Sequence, residues 1–215
     1  MEIGRYNYLG NSNIGFYGTV TNSQAIFPPE FKESEVFEAR DVKTYVARTR
    51  LVGLFTAGNS NSILVPDVTT DVEKRKLEEA GISFTEIESR DTALGNLVLA
   101  NDKGAVIGQS LAEKKEKIEE ALEVRAEVMD IAGTPNPGSC GVANSRGVLL
   151  HRDTSEEVAE KVKDVLDVEE AAIGTVNTGS PFVGSGILVN DKAVLTGQDT
   201  SGPEIGRIDR TLVEK

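Results

Sequence analysis

One cysteine and one histidine are the whole stock of thiol and imidazole in this chain of 215 residues. Cys140 alone cannot close an intrachain disulfide, and Cys140 with His151 cannot supply the ligands of a usual zinc site. No Asn-x-Ser/Thr sequon occurs, and no Gly-x-x-x-x-Gly-Lys-Ser/Thr phosphate loop. No apolar run approaches the ~18 residues a membrane helix needs. Residues 1–8 carry Glu2 and Arg5 and no apolar stretch, so a signal peptide is not expected. Together these absences lead us to expect a soluble, cytoplasmic protein of a reducing compartment, acting without metal, cofactor or membrane.

Positive charge is also in short supply. There are 23 Lys and Arg against 35 Asp and Glu, a formal charge of −12. Such a surface, taken as a whole, repels nucleic acid and anionic lipid. That argues against a general DNA- or RNA-binding module but does not exclude a local basic patch. The length suits one large domain, in which about 70% of the unfolded surface can be buried.

What the chain has instead is a repeated phrase: Asn, two polar residues, a small residue, then mostly apolar ones. It stands at Asn22-Ser23-Gln24-Ala25-Ile26-Phe27, Asn59-Ser60-Asn61-Ser62-Ile63-Leu64, Asn101-Asp102-Lys103-Gly104-Ala105-Val106, Asn144-Ser145-Arg146-Gly147-Val148-Leu149 and Asn190-Asp191-Lys192-Ala193-Val194-Leu195. The Asn spacings are 37, 42, 43 and 46 residues. A period in that range marks an array of units, each too small to bury its own apolar face. Polar turn residues between two apolar runs read as a hairpin, since Asn tolerates positive φ.

The third copy shows the unit. Leu94-Gly95-Asn96-Leu97-Val98-Leu99-Ala100 reads as a buried strand, the turn follows, and Ala105-Val106-Ile107 returns. Ser110-x-x-Glu113 has the form of a capping box opening a helix, with Leu111, Ile118, Ala121 and Leu122 on one face. Val124 to Met129 then alternates as a half-buried strand. The same order of strand, strand, helix, strand recurs after Thr70-x-x-Glu73 and after Thr154-x-x-Glu157, the latter with a stripe of Val158, Val162, Val165 and Leu166. The three boxes begin 11, 9 and 10 residues after their turn Asn.

The outer copies are weaker. Pro28-Pro29 begins a helical stretch to about Arg40, with a strand near 43–50. Gly202-Pro203 leaves room for only a turn of helix before Ile205 to Val213. Gly133 to Gly138 reads as a linker between the third and fourth units. We expect a single domain with units at about 11–50, 51–91, 92–132, 133–174 and 175–215. Residues 1–10 would form an extra strand that pairs with the last unit and closes a ring, since neither end reads as a polar cap.

Several phrases go beyond architecture: Leu51-Val52-Gly53, Gly58-Asn59, Leu64-Val65-Pro66, Ser89 to Asn96 with Ala93-Leu94-Gly95-Asn96 at its end, Gly174-Thr175-Val176-Asn177 and Leu188-Val189-Asn190-Asp191. Through them the whole chain resembles the translation initiation factor 6 family, in its archaeal form by length. The resemblance implies a pentein fold, a five-bladed α/β propeller of pseudo-fivefold symmetry with about 43 residues per unit. It implies a monomer that binds the large ribosomal subunit beside the sarcin–ricin loop of the rRNA and a neighbouring ribosomal protein. Bound there it would sterically exclude the small subunit, with a role in large-subunit maturation as well. Positions matching Gly15, Leu54, Asn59 and Asn101 lie on the subunit-binding side of the family. Leu54 departs from its eukaryotic members, which tend to have a basic residue there.

In a ring the five turns share a face. Lys103, Arg146 and Lys192 follow their Asn by two residues, and Gln24 and Asn61 take that place in the other copies. The helices carry the acid, as at Glu73, Glu78, Glu116 and Glu160. Electrostatics would then turn the hairpin rim towards rRNA phosphate. The candidate contact residues are Gly15, Asn22, Leu54, Asn59, Asn101, Lys103, Asn144, Arg146, Asn190 and Lys192.

Two other readings compete. Penteins include guanidine-modifying enzymes with a cysteine nucleophile and a histidine base. Here Cys140 and His151 lie 11 residues apart in one hairpin, and Gly197-Gln198-Asp199-Thr200 supplies no cysteine near the C-terminus, where those enzymes have theirs. The other is a plain scaffold ring without catalysis.

Overall fold

Five three-stranded sheets, one per unit, stand around a common axis in the computed structural model, which describes residues 2–213. Met1 of the expected closing strand and Glu214 and Lys215 of the expected fifth unit lie outside the described residues. The first unit holds β2 (Thr19–Val20), β3 (Gln24–Phe27) and β4 (Arg40–Lys43). The second holds β5 (Ala57–Gly58), β6 (Ile63–Pro66) and β7 (Phe84–Ile87), and the third β8 (Val98–Ala100), β9 (Gly104–Ile107) and β10 (Arg125–Val128). The fourth holds β11 (Gly141–Ala143), β12 (Gly147–His151) and β13 (Glu170–Gly174). The fifth has β14 (Ile187–Val189) and β15 (Ala193–Gly197), and its third strand is β1 (Glu2–Tyr6) from the other end of the chain.

Within every sheet the first two strands are an antiparallel hairpin and the third runs parallel to the second. A parallel partner requires a crossover. Three crossovers are helical, α1 (Asp71–Glu79), α2 (Lys115–Leu122) and α3 (Glu156–Leu166), and a fourth helix, α4 (Gly202–Leu212), follows β15. No helix among the described residues is long and apolar enough to cross a membrane.

Each of these helices, and the segment after β3, packs between its own sheet and that of the preceding unit, so much of the core lies in the seams. Ile118 and Leu122 of α2 press on Leu64, Val162 and Leu166 of α3 on Val106, and Ile208 and Leu212 of α4 on Leu149. Leu77 of α1 meets Ile26, and Phe31 and Phe37 meet Leu195. Each such side chain stabilises by about 1.5–3 kcal/mol when fully buried, and part of that burial is against the neighbouring unit.

Several local expectations need correction. The run Leu94–Ala100 is half strand only; Leu94–Leu97 is one helical turn, and the same turn opens the other units at Ile14–Tyr17, Val52–Phe55, Pro137–Cys140 and Val183–Gly186. Pro137 and Gly138 therefore belong to such a turn and are not linker. Ser110 does not cap: a 3-10 segment, Gln109–Lys114, starts at Gly108 and leaves Ser110 inside it. In the fourth unit Ser155, not Thr154, is the cap, its Oγ accepting from the Val158 amide at 3.3 Å. Thr70 and Glu73 do form their box.

The largest differences fall in the first and last units. Between Pro28 and Arg40 only Ser34–Phe37 is helical, and β4 ends at Lys43, where the strand was expected to begin. The fifth unit has a full helix of 11 residues. Proline in a first turn sacrifices no hydrogen bond, and the Glu204 carboxylate accepts from the Ser201 amide and hydroxyl, both at 2.7 Å.

Candidate docking surface

The first strand of each hairpin runs from its helical turn to its hairpin tip. The five turns therefore gather at one pole of the axis and the five tips at the other. Between them lies a narrow axial cavity of ≈ 110 Å³, lined by glycines and the short inner strands. Ligand pockets of enzymes usually exceed ~300 Å³.

At the turn pole the axis is closed by backbone. A Cβ on Gly53 would overlap the carbonyl oxygen of Gly15, on Gly95 that of Gly53, and on Gly138 that of Gly95. The series continues from Gly184 to Gly138 and returns from Gly15 to Gly184. Five glycines thus make a closed ring, and only a residue without a side chain permits that approach. The next residue of each turn stands around the ring: Phe16, Leu54, Asn96, Ser139 and Ser185. Phe16 and Leu54 are half-buried on neighbouring turns.

Second and third strands end at this same pole, so the loops after them form its collar. Exposed Leu9 and Phe182 lie there, 72% and 42% accessible, with exposed Arg48, Arg50, Arg90 and Arg152. The collar is pinned by carboxylates. Glu73 accepts from the Arg48 amide at 2.8 Å. Glu204 accepts from Thr175 Oγ1 at 2.7 Å, the Gly179 amide at 2.9 Å and the Thr178 amide at 3.2 Å. Burial opposes ionisation of Glu204, but these hydrogen bonds and those from Ser201 outweigh it and bring its pKa down to about 2. Tyr8 donates to Glu30 at 2.9 Å while Arg50 grips the same carboxylate. Burial, then this bond, pushes the Tyr8 phenol up to about 12.

The tip pole is built differently. Asn101 Oδ1 accepts from the amides of Lys103 and Gly104, and its Nδ2 donates to Asn144 O at 3.1 Å and Leu166 O at 2.8 Å. Leu166 ends the helix of the next unit. Asn59 joins Asn101 O and Leu122 O, Asn144 reaches Leu212 O, and Asn190 reaches Thr21 O and Phe37 O. All four side chains are buried. In the first unit Thr21 takes the place of Asn, its Oγ1 accepting from the Ser23 and Gln24 amides. The repeat is therefore in register from Thr21, one residue before Asn22, and Ser23 matches Lys103, where Gln24 was expected to.

Asn22 holds a second layer, its amide nitrogen donating to Asp102 and Asp191, both at 2.8 Å. Lys103 is paired with Asp167 at 3.2 Å and donates to its carbonyl at 2.8 Å. Arg146 is half-buried and Lys192 exposed.

The ten candidate residues thus fall into two groups. Gly15 and Leu54 are at the turn pole. Asn22, Asn59, Asn101, Lys103, Asn144, Arg146, Asn190 and Lys192 are at the tip pole, and no flat partner touches both. Phe16, Asn96, Arg48 and Arg90 join Gly15 and Leu54 at the turn pole, and nothing local in the sequence marks which end of a short strand they share.

Cys140 and His151 do not form a catalytic pair. Cys140 packs with Val148 and Leu150, its sulfur 3.1 Å from the Thr134 hydroxyl. His151, on the alternate face of β12, accepts from the Asp153 amide and meets Phe182 edge-on, with ring centroids 5.3 Å apart. Among the described residues no group of three His, Cys, Asp or Glu is placed to hold a metal ion.

These features define the class: a five-unit α/β ring of the pentein type, with one pole closed by glycine backbone and the other laced by asparagine. The chain belongs to the eIF-6 family, whose model matches residues 3–211. It is 38% identical over 224 residues to translation initiation factor 6 of Staphylothermus marinus, covering 99% of this chain and 98% of the relative. It is 37% identical to translation initiation factor 6 of Saccharolobus islandicus, covering all of both chains. The corresponding factor of Methanococcus maripaludis is 35% identical, with coverage of 95% and 96%. Among solved structures, a mutant of DDAH from Pseudomonas aeruginosa complexed with citrulline is similar over 75% of this chain and 69% of that one, with a TM-score of 0.46 and 12% identity.

Proposed function

We propose that this protein binds the large ribosomal subunit on its joining face, beside the sarcin–ricin loop and a neighbouring ribosomal protein, and excludes the small subunit by occupancy. The partner class rests on membership of the eIF-6 family and on its relatives' name, translation initiation factor 6. The action requires no bond-making: a bound factor removes the state in which the subunits join. A cytoplasmic monomer taking part in large-subunit maturation fits the same reading.

We assign docking to the turn pole. One observation carries this choice: Phe16 and Leu54 stand half-exposed on a rigid glycine ring, inside a collar bearing Arg48 and Arg90. Aromatic, aliphatic and arginine side chains on a fixed backbone are the composition of an interface core. Arginine also supplies the local positive charge that a −12 protein needs to approach phosphate. The tip pole has less to offer, because its buried asparagines are spent on joints between units and Lys103 is already paired. The test is a joining assay with purified subunits. Added protein should lower the yield of joined ribosomes in proportion to its occupancy of the large subunit; an unchanged yield at saturation would contradict the proposal.

A further inference from the structure

Four seams of the ring are roofed by a helix of at least eight residues, and the closing seam between the fifth and first units is not. There the roof is the single 3-10 turn Ser34–Phe37. The connection from β3 to β4 holds 12 residues, 28–39, against 17 in 67–83, 17 in 108–124 and 18 in 152–169. The deficit of five or six residues is about one and a half helical turns, roughly 8 Å of helix.

Aromatics compensate on the inside only. Phe31 and Phe37 stack on Phe27 with ring centroids 4.4 and 6.0 Å away, and together they cover Ala193 and Leu195. The outer part of the seat remains a groove of ≈ 390 Å³ lined by Gly4, Arg5, Glu33, Val36, Lys192 and β15. Val36 is 39% exposed on its wall. Arg5 and Lys192 are exposed on its rim, and neither forms an ion pair among the described residues.

We propose that this groove seats a short amphipathic helix of a partner protein, its apolar stripe on Val36 and its carboxylates towards Arg5 and Lys192. The fold itself indicates what fits. Leu195 holds the place that Leu64, Val106 and Leu149 hold in other seams, each under the stripe of a helix. Of those helices α3 is acidic on the outside, with Glu156, Glu157, Glu160 and Asp164 against Lys161 and Lys163. Two cations against the single Glu33 favour such an occupant over a basic one. Helix-in-groove binding needs only a few anchors at helical spacing. The groove lies on the flank of the ring, off the turn pole, so it stays open when that pole is docked and does not depend on that docking.

The probe is a stapled peptide of Ser155–Leu166, titrated into the isotope-labelled full chain and followed by amide chemical shifts. Saturable shifts confined to Arg5, Val36, Lys192 and Leu195 are expected. A peptide with its four carboxylates changed to amides should bind about tenfold more weakly, and Arg5→Glu with Lys192→Glu should lose the shifts. Val36→Lys, which leaves both strands intact, should lose them too if the double reversal disturbs folding. Shifts scattered over the surface, or affinity indifferent to the peptide's charge, would overturn the proposal. So would concentration-dependent dimerisation that protects Val36, since the occupant would then be a second copy.

Discussion

The carbonyl oxygen of Gly15 lies where a Cβ on Gly53 would have to be. The same relationship passes through Gly95, Gly138 and Gly184 and returns to Gly15, so each unit fixes its neighbour through backbone that cannot yield as a side chain can. Replacing Gly95 by Ala should therefore cost about 3 kcal/mol and lower the thermal midpoint by about 10 °C for a domain of this size. Gly206→Ala is the control. It lies within α4, has open space around its Cβ position, and should leave the midpoint unchanged or slightly raised.

Asn101→Ala should be nearly as damaging, by about 2–3 kcal/mol. It leaves Asn144 O and Leu166 O without their donor and strips the tip amides of Lys103 and Gly104 of their acceptor, all at a buried joint. Lys103→Ala removes an exposed ion pair and an exposed hydrogen bond to the Asp167 carbonyl, and should stay within about 1 kcal/mol. Urea unfolding of the two variants side by side measures the difference.

Glu204 predicts a pH dependence. Its folded pKa of about 2 lies below the ordinary carboxyl value of 4.5. A depressed carboxylate contributes stability that is fully present above the unfolded value and lost as pH falls through the folded one. Stability should thus decline between about pH 4.5 and 2, with Glu204 supplying roughly 2–3 kcal/mol of the change. Glu204→Gln should start less stable at neutral pH and show a shallower fall over that window in thermal melts.

Periodic features were legible in the sequence and contacts between units were not. The hairpin tips and the helix after Thr70 could be read because Asn, small residues and a capping box are local signals. The first tip was read one residue late because Thr21 does the work of Asn there, and a hydroxyl carries no turn signature as strong as an amide. The helical turns were invisible because four residues such as Leu94–Leu97 have no period of their own. The helix α4 was missed because Gly202-Pro203 reads as a break unless proline is allowed a first-turn place. For the proposed docking surface, Gly15 and Leu54 are in the sequence reading, while Phe16, Arg48 and Arg90 are not. Which end of a three-residue strand a side chain joins depends on the whole ring.

Co-sedimentation with purified large subunits at several salt concentrations decides which pole carries the proposed contact with the ribosome. Phe16→Asp with Leu54→Asp should weaken binding at least tenfold, a loss usual for interface anchors, and Arg48→Glu with Arg90→Glu should weaken it and flatten its salt dependence. Lys103→Glu with Lys192→Glu, at the other end of the axis, should leave binding within about twofold. Full binding by the first pair of variants and loss in the last would contradict the assignment and place the contact at the hairpin tips.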